Sequence, residues 1–315
     1  MDGVGKVIYF KRRNIKRSTI PFRPLALGDS EAVMRQVWHA DCRNCDYNFM
    51  NLMSWRFLFG TELAFHENWL LIRFRSGARL AYLPPVGAGD WADILPVMRD
   101  DAHSLGEQFR LMGVCPHSLE RLEHTMPCEY VASTDRNAAD YLYLRDSLAS
   151  LTGKKLQPKR NHINRFVKEY PDFSFRPLTA EYFDECIRLA DCWRKQKGEP
   201  GGWLTPEQER ESMQFVFEHW SHFCGKGGTL WVGDRLVAFT YGAPINRDTF
   251  DVCMEKADTD FDGAYAVINR EFVRTLPEHF IYVNREEDLG IEGLRKAKLS
   301  YQPEIILNKY TVEEV

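Results

Sequence analysis

At 315 residues, with 44% apolar and 27% charged side chains, the chain has the composition of an ordinary globular protein, which excludes disordered and fibrous classes. A formal net charge of −4 gives no global attraction to nucleic acid or membrane, so any such role must rest on local patches. No stretch approaches the ~20 consecutive apolar residues of a membrane-spanning helix, which points to a soluble, cytoplasmic protein with room for two domains.

The chain opens on a basic stretch (Lys6, Lys11, Arg12, Arg13, Lys16, Arg17, Arg23) with no apolar run behind it. It therefore reads as an arm over residues 1–19, edge-packed or touching RNA or anionic lipid, and not as a secretory signal. Asp29 is placed to cap a helix from Ser30 to about Ala40. Eight cysteines are scattered along the chain, and only Cys42-Arg-Asn-Cys45 has a suggestive spacing. With no second pair at zinc distance they read as reduced structural thiols, a weak metal or redox site being the alternative. The aromatic run Phe49–Phe59 reads as core. Trp69–Phe74 and Arg79–Leu83 flank Ser76-Gly77 as a hairpin. Asp90 opens a helix, and strands are predicted at Phe109–Val114 and Tyr141–Tyr143. The polar segment Ser133–Asn137 marks a seam, giving units at 20–135 and 136–315.

The second unit repeats the order of helices, hairpin and strand–helix–strand. Helices are predicted over Arg145–Leu151, Glu181–Lys195 and Pro206–His222. Strands are predicted at Thr229–Val232, Leu236–Tyr241, Thr249–Glu255 and His279–Asn284. A helix from Gly263 to about Leu276 lies between the last two. Ile291–Ser300 then forms a helix and Glu304–Lys309 a closing strand. This order predicts an α/β protein with mixed sheets covered by helices.

Between Leu151 and Lys168 stand six Lys or Arg and no acid. If Pro158 opens a helix, Arg160 and Asn164 share a face, with Lys159 and Arg165 beside them. Together with Lys154, Lys155 and Asn161 they form a candidate phosphate-binding face, the bland alternative being a solvated helix surface. Asn284-Arg285-Glu286-Glu287-Asp288 ends a predicted strand, where open α/β sheets place their sites. Asp288 and Glu255 are candidate general bases, and either is alternatively a salt-bridge partner. Arg285 and Lys298 are candidates for stabilising negative charge.

Tyr141-Leu-Tyr-Leu-Arg145, Gly153-Lys-Lys155, Lys159-Arg-Asn-His-Ile-Asn164 and the long motif from Ile281 to Pro303 closely resemble a bacterial family related to the soluble C-terminal domain of phosphatidylglycerol lysyltransferase. More distantly the chain is similar to Fem-type peptidyltransferases. The resemblance implies two GNAT acyltransferase folds in tandem, with the site in the second. It also implies transfer of an aminoacyl group from aminoacyl-tRNA to an amine or hydroxyl acceptor, with no metal and no other cofactor. Because the sequence carries no membrane-spanning half, a lipid headgroup is an open question as acceptor, with peripheral membrane contact as the route. Acetyl-CoA is disfavoured as donor by chemistry: the loop that should cradle its pyrophosphate reads Asp258-Thr-Asp-Phe-Asp-Gly263, and three carboxylates repel it. Asp262 is better suited to capping its own helix. The rivals are an acetyl-CoA-dependent N-acetyltransferase and a non-catalytic binder of RNA or phosphate headgroups.

Overall fold

The computed structural model describes residues 20–126, 129–197 and 204–315. The basic arm ahead of Ile20 and Cys128 lie outside the described residues. In the first half the strands are β1 (Arg23–Pro24), β2 (Glu62–His66), β3 (Trp69–Ser76), β4 (Arg79–Tyr82), β5 (Val86–Gly87), β6 (Arg110–Val114) and β7 (Tyr130–Thr134). The helices there are α1 (Ser30–Val37), α2 (Phe49–Ser54), α3 (Arg56–Phe59), α4 (Trp91–Ser104) and α5 (Pro116–Thr125). The second half continues with β8 (Asp140–Leu144), α6 (Arg145–Ser150), α7 (Gln157–Glu169), β9 (Phe173–Pro177), α8 (Phe183–Lys197) and α9 (Pro206–Glu218). It closes with β10 (Lys226–Val232), β11 (Arg235–Pro244), β12 (Thr249–Ala257), α10 (Ala264–Thr275), β13 (Tyr282–Asn284), α11 (Glu292–Leu299), β14 (Ile305–Leu307) and β15 (Tyr310–Glu314).

Local chemistry accounts for most of these elements. The β3–β4 and β10–β11 hairpins turn at Gly77 and Gly233, both at positive φ. Asp90 caps α4 through the Ala92 N–H, and Pro158 sits in the first turn of α7. Asp29 departs from expectation. It stands at the N-cap of α1, but its carboxylate turns back to Arg23 and to the Ala26 N–H, because a guanidinium fork offers more than one amide.

The strands form two mixed sheets, ordered β1-β2-β3-β4-β6-β15-β7 and β14-β8-β13-β12-β11-β10-β9. Each has an antiparallel meander, a crossover helix (α4 or α10) and a parallel strand after it. This is the tandem GNAT architecture. One strand of the second half also crosses into the first sheet. β8 inserts between β13 and β14 of the second sheet, and β15 returns to lie between β6 and β7 of the first. Residues 310–314 thus join the first sheet, which corrects an assignment of 136–315 to one unit. The closing strand expected at Glu304–Lys309 is two short strands broken at Asn308-Lys309.

An apolar core joins the halves. Leu63, Leu70 and Ile72 of the first sheet cluster with Phe239, Tyr241 and Met254 of the second, through Met50 and Met53 of α2 and Met213 and Val216 of α9. A second cluster packs α6, α7 and α10 on the opposite face of the second sheet, and a third packs α4 and α5 on the first. Cores packed on both faces leave the edges and splits of the second sheet as the places where chemistry can reach solvent.

Candidate active site

β12 and β13 run parallel through three pairs, ending at Asp251↔Asn284. β12 then continues to Ala257 while β13 stops, so the sheet splits into a V. The chain leaving β13 is turned sharply. Asn284 Oδ1 accepts the Glu286 N–H at 2.7 Å, and Asp288 Oδ1 accepts the Gly290 N–H at 2.9 Å. Glu286 and Leu289 both take left-handed backbone conformations, which side chains bearing a Cβ adopt at a cost of order 1 kcal/mol or more. On the far side, β11 bulges at Gly242, where a Cβ would fall 1.8 Å from the Asp251 carbonyl.

Inside the V, Arg285 Nη2 meets Glu255 Oε1 at 2.7 Å, both side chains about nine-tenths buried. The guanidinium lies 4.8 Å from the Tyr301 ring centre, and the Lys159 amine lies 3.9 Å from the same ring. Asn269 Nδ2 donates to the other Glu255 oxygen at 3.3 Å. Two cations therefore converge on one acid. Burial first, and then the neighbouring Arg285, depress the Lys159 amine to about 8. Burial pushes the Tyr301 phenol up to about 12, so it stays a neutral donor. Arg285 Nη1 and Asn269 Oδ1 are buried and make no hydrogen bond, leaving a donor and an acceptor side by side with Glu255.

The structure thus brings two of the four predicted catalytic residues together and sends the other two elsewhere. Glu255 and Arg285 meet in the V, but Asp288 does not join them. Its carboxylate takes Arg295 through both oxygens at 2.7 Å, Tyr141 Oη at 2.6 Å and Arg136 at 3.4 Å. Burial alone would raise its pKa, but the Arg295 and Tyr141 hydrogen bonds outweigh it and hold the group at about 2. A carboxylate so saturated anchors the loop and makes a poor base. Lys298 is committed too. Its ammonium donates to the carbonyls of Arg285, Glu286 and Glu287, fixing the loop's backbone from below.

The basic segment divides in the same way. Of its members only Lys159 reaches the V. Arg160 folds back on the carbonyls of Leu151 and Gly153 and on Gln157. Arg165 pairs with Asp262, and Asn161 accepts from Gln157 at 2.8 Å. Lys154, Lys155, Asn161, Asn164 and Arg165 are exposed. The expectation that Asp262 caps α10 is not met: Gly263 occupies the N-cap, and Asp262 faces α7, with His162 Nδ1 also at 3.4 Å. The α10 terminus is closed. A Cβ on Gly263 would lie 2.6 Å from the His162 carbonyl, and the Ala264 N–H is taken by Phe261. Asp258 holds Arg235 at 2.5 Å.

Beneath the loop lies a buried charge cluster that sequence reasoning missed. The Lys309 ammonium bonds Glu287, Asp140 at 2.9 Å and Asp46 at 3.3 Å, with Cys45 Sγ at 3.5 Å. Burial opposes its charge, but Asp140 and Asp46 outweigh that and raise its pKa. Beside it, Asn51 bonds Glu286 at 2.7 Å and Asn48 bonds Asp251 at 2.9 Å. Burial, then Glu287, drives the Glu286 carboxyl up to about 8. Two groups here bring metal-ligand atoms within 4.8 Å of one another: Cys45, Asp46 and Glu287, where the Lys309 amine already sits, and Asp251, Cys253 and Glu286. Cys42 and Cys45, three apart in sequence, go separate ways, Cys42 beside Cys115 and Cys45 into the acids. The signal for this cluster was ionisable residues at strand positions, Asp140 before Tyr-Leu-Tyr and Asp251 within Phe-Asp-Val.

A model of the family described as phosphatidylglycerol lysyltransferase, C-terminal, matches residues 40–313. The chain belongs to that family. A structure described as a conserved protein of unknown function from Bacteroides thetaiotaomicron is 44% identical to this member of the lysyltransferase C-terminal family. It superposes with a TM-score of 0.89 over 94% of this chain and 100% of that one. L-PGS from Bacillus licheniformis shares the fold at 15% identity and a TM-score of 0.58, over 87% of this chain and 94% of that one. The curated relative MYCGA3080 of Mycoplasmoides gallisepticum is 23% identical over 180 residues, so the match spans 57% of its length. Among the described residues no helix is long and apolar enough to cross a membrane.

Proposed function

We propose that this member of the lysyltransferase C-terminal family transfers an aminoacyl group from aminoacyl-tRNA to an amine or hydroxyl, free or on a lipid headgroup. The observation that carries the reading is the cationic V, with its free Arg285 Nη1 and half-buried Lys159, set beside a closed and acidic α10 terminus. A thioester donor needs the terminus open for pyrophosphate. An ester donor needs instead positive charge where an alkoxide leaves. In the step proposed, the acceptor amine adds to the ester carbonyl and the carbon–oxygen bond to the ribose breaks. The Lys159 ammonium protonates the departing oxygen, Glu255 takes the amine's proton, and Arg285 Nη1 holds the carbonyl oxygen. The exposed Lys154 and Lys155, just ahead of α7 and a turn from Lys159, would meet the phosphates of the acceptor stem.

The test is binding to bulk aminoacyl-tRNA across a salt titration, with acetyl-CoA as competitor. Log affinity should fall linearly with log salt, and replacing Lys154 and Lys155 by alanine should flatten the slope by about 1.5. Acetyl-CoA should not displace the RNA. Absence of RNA binding at moderate salt would overturn the reading.

A further inference from the structure

Consecutive residues of a strand face opposite sides of its sheet. Glu255 enters the V with Arg285, whereas Lys256 points to the other face, among α8 and α9. There the structure has a pocket walled by Trp193, Leu289, Ile291 and Leu294. It adjoins the V, because the loop that supplies Arg285 to one supplies Leu289 and Ile291 to the other. The edge of β12 beyond Asp251, left without a partner strand by the split, runs between them. One loop and one strand edge therefore serve both the V and the pocket.

The pocket's charges are committed. Its carboxylate, Glu209, holds Lys256 at 2.9 Å, and that ammonium also lies 4.0 Å over the Trp193 ring. Arg194 is bound to Asp191 and to the Pro206 carbonyl. Among the described residues that line it, the charged ones are thus two cations and one acid, with no carboxylate there left to receive a further ammonium, and apart from Thr205 the remaining wall is apolar. A buried ammonium without a partner is costly, while an aliphatic side chain gains from leaving water.

We propose that this pocket receives the side chain of the transferred amino acid and selects a neutral, apolar one over lysine. The proposal rests on the aminoacyl-transfer reading above and deepens it. Selection then comes from the face opposite the reacting groups, through Leu294 and Trp193, and the lysyl group of the family's name is a poor fit for this chain.

The test uses an acceptor-stem RNA hairpin in three forms: uncharged, and carrying leucine or lysine at its 3′ end through a non-hydrolysable amide. The leucyl hairpin should bind about tenfold or more tighter than the uncharged one, and the lysyl hairpin no tighter than the uncharged one. Leu294→Glu should abolish the leucyl advantage and improve lysyl binding, and the milder Leu294→Ala should weaken leucyl binding alone. Leucyl and uncharged hairpins of equal affinity, or a lysyl hairpin that binds as tightly as the leucyl one, would overturn the pocket assignment and leave RNA binding standing. No binding by any of the three would overturn the transfer reading and this one with it.

Discussion

Lys309→Met is the substitution on which the buried cluster can be judged. The methionine keeps most of the volume but removes the ammonium shared by Asp140, Glu287 and Asp46. Asp140 retains the Asn284 amide at 2.8 Å and the Cys45 N–H at 2.9 Å, whereas Glu287 loses its ion-pair partner. Breaking a buried ion pair from one side costs about 3–5 kcal/mol, roughly a fifth or more of a typical total stability. The sign with pH follows. Without the ammonium, the folded-state pKa values of these acids rise above their unfolded values, so protons can replace the missing charge at low pH. Stability is then lost as pH rises through the raised values, and the deficit is larger at pH 8 than at pH 5.5. Urea unfolding followed by tryptophan fluorescence at the two pH values measures this. The double variant Glu287→Gln/Lys309→Met should be more stable than Lys309→Met alone, because it removes a charge that has lost its partner. A Lys309→Met deficit below about 1 kcal/mol at both pH values, or additive losses in the double variant, would refute the reasoning.

Glu286→Gln should flatten the pH dependence of thermal unfolding. The wild-type carboxyl, raised to about 8 by burial and Glu287, stabilises the fold less and less as pH climbs from its unfolded value through 8. Identical pH dependence in the two proteins would count against that assignment. Asp288→Asn should destabilise the protein by about 1–2 kcal/mol at neutral pH, since Tyr141 and the partly exposed Arg295 lose a charged acceptor. The folded pKa of about 2 lies below the unfolded value, so the gap should narrow as pH falls below about 4. Its turnover should keep the wild-type pH profile, and a displaced profile would restore Asp288 as a base.

The architecture was legible because it rests on local signals: Gly77 and Gly233 in their hairpins, Asp90 at its cap and the amphipathic periods of the helices. Glu255 and Arg285 were legible as strand-end charges. Lys159 stood out in the sequence only as one cation among six; the packing of α7 onto Tyr301 distinguishes it from Lys154 and Lys155. Asp288 misled because a run of three acids looks the same whether its members are free or saturated. What decides is Tyr141, Arg136 and Arg295, brought to Asp288 from other parts of the chain. Lys309 and Asp140 were passed over because their meaning lies in a contact spanning most of the sequence, which no periodicity records. The strand at 310–314 escaped for the same reason, since its partners β6 and β7 lie nearly two hundred residues upstream.

The return of β15 to the first sheet sets an order on synthesis. While the chain emerges from the ribosome, the first sheet has a gap between β6 and β7, and that gap stays open until residues 310–314 are free to fill it. Such distant pairing closes late and slowly. Two exposed strand edges must therefore wait through the making of the whole second sheet, a period in which they invite mispairing. The strand that ends the wait follows directly on Lys309, so completion of the first sheet and neutralisation of the acids beneath the V are a single event. A half-made chain has neither its first sheet nor a settled site in its second.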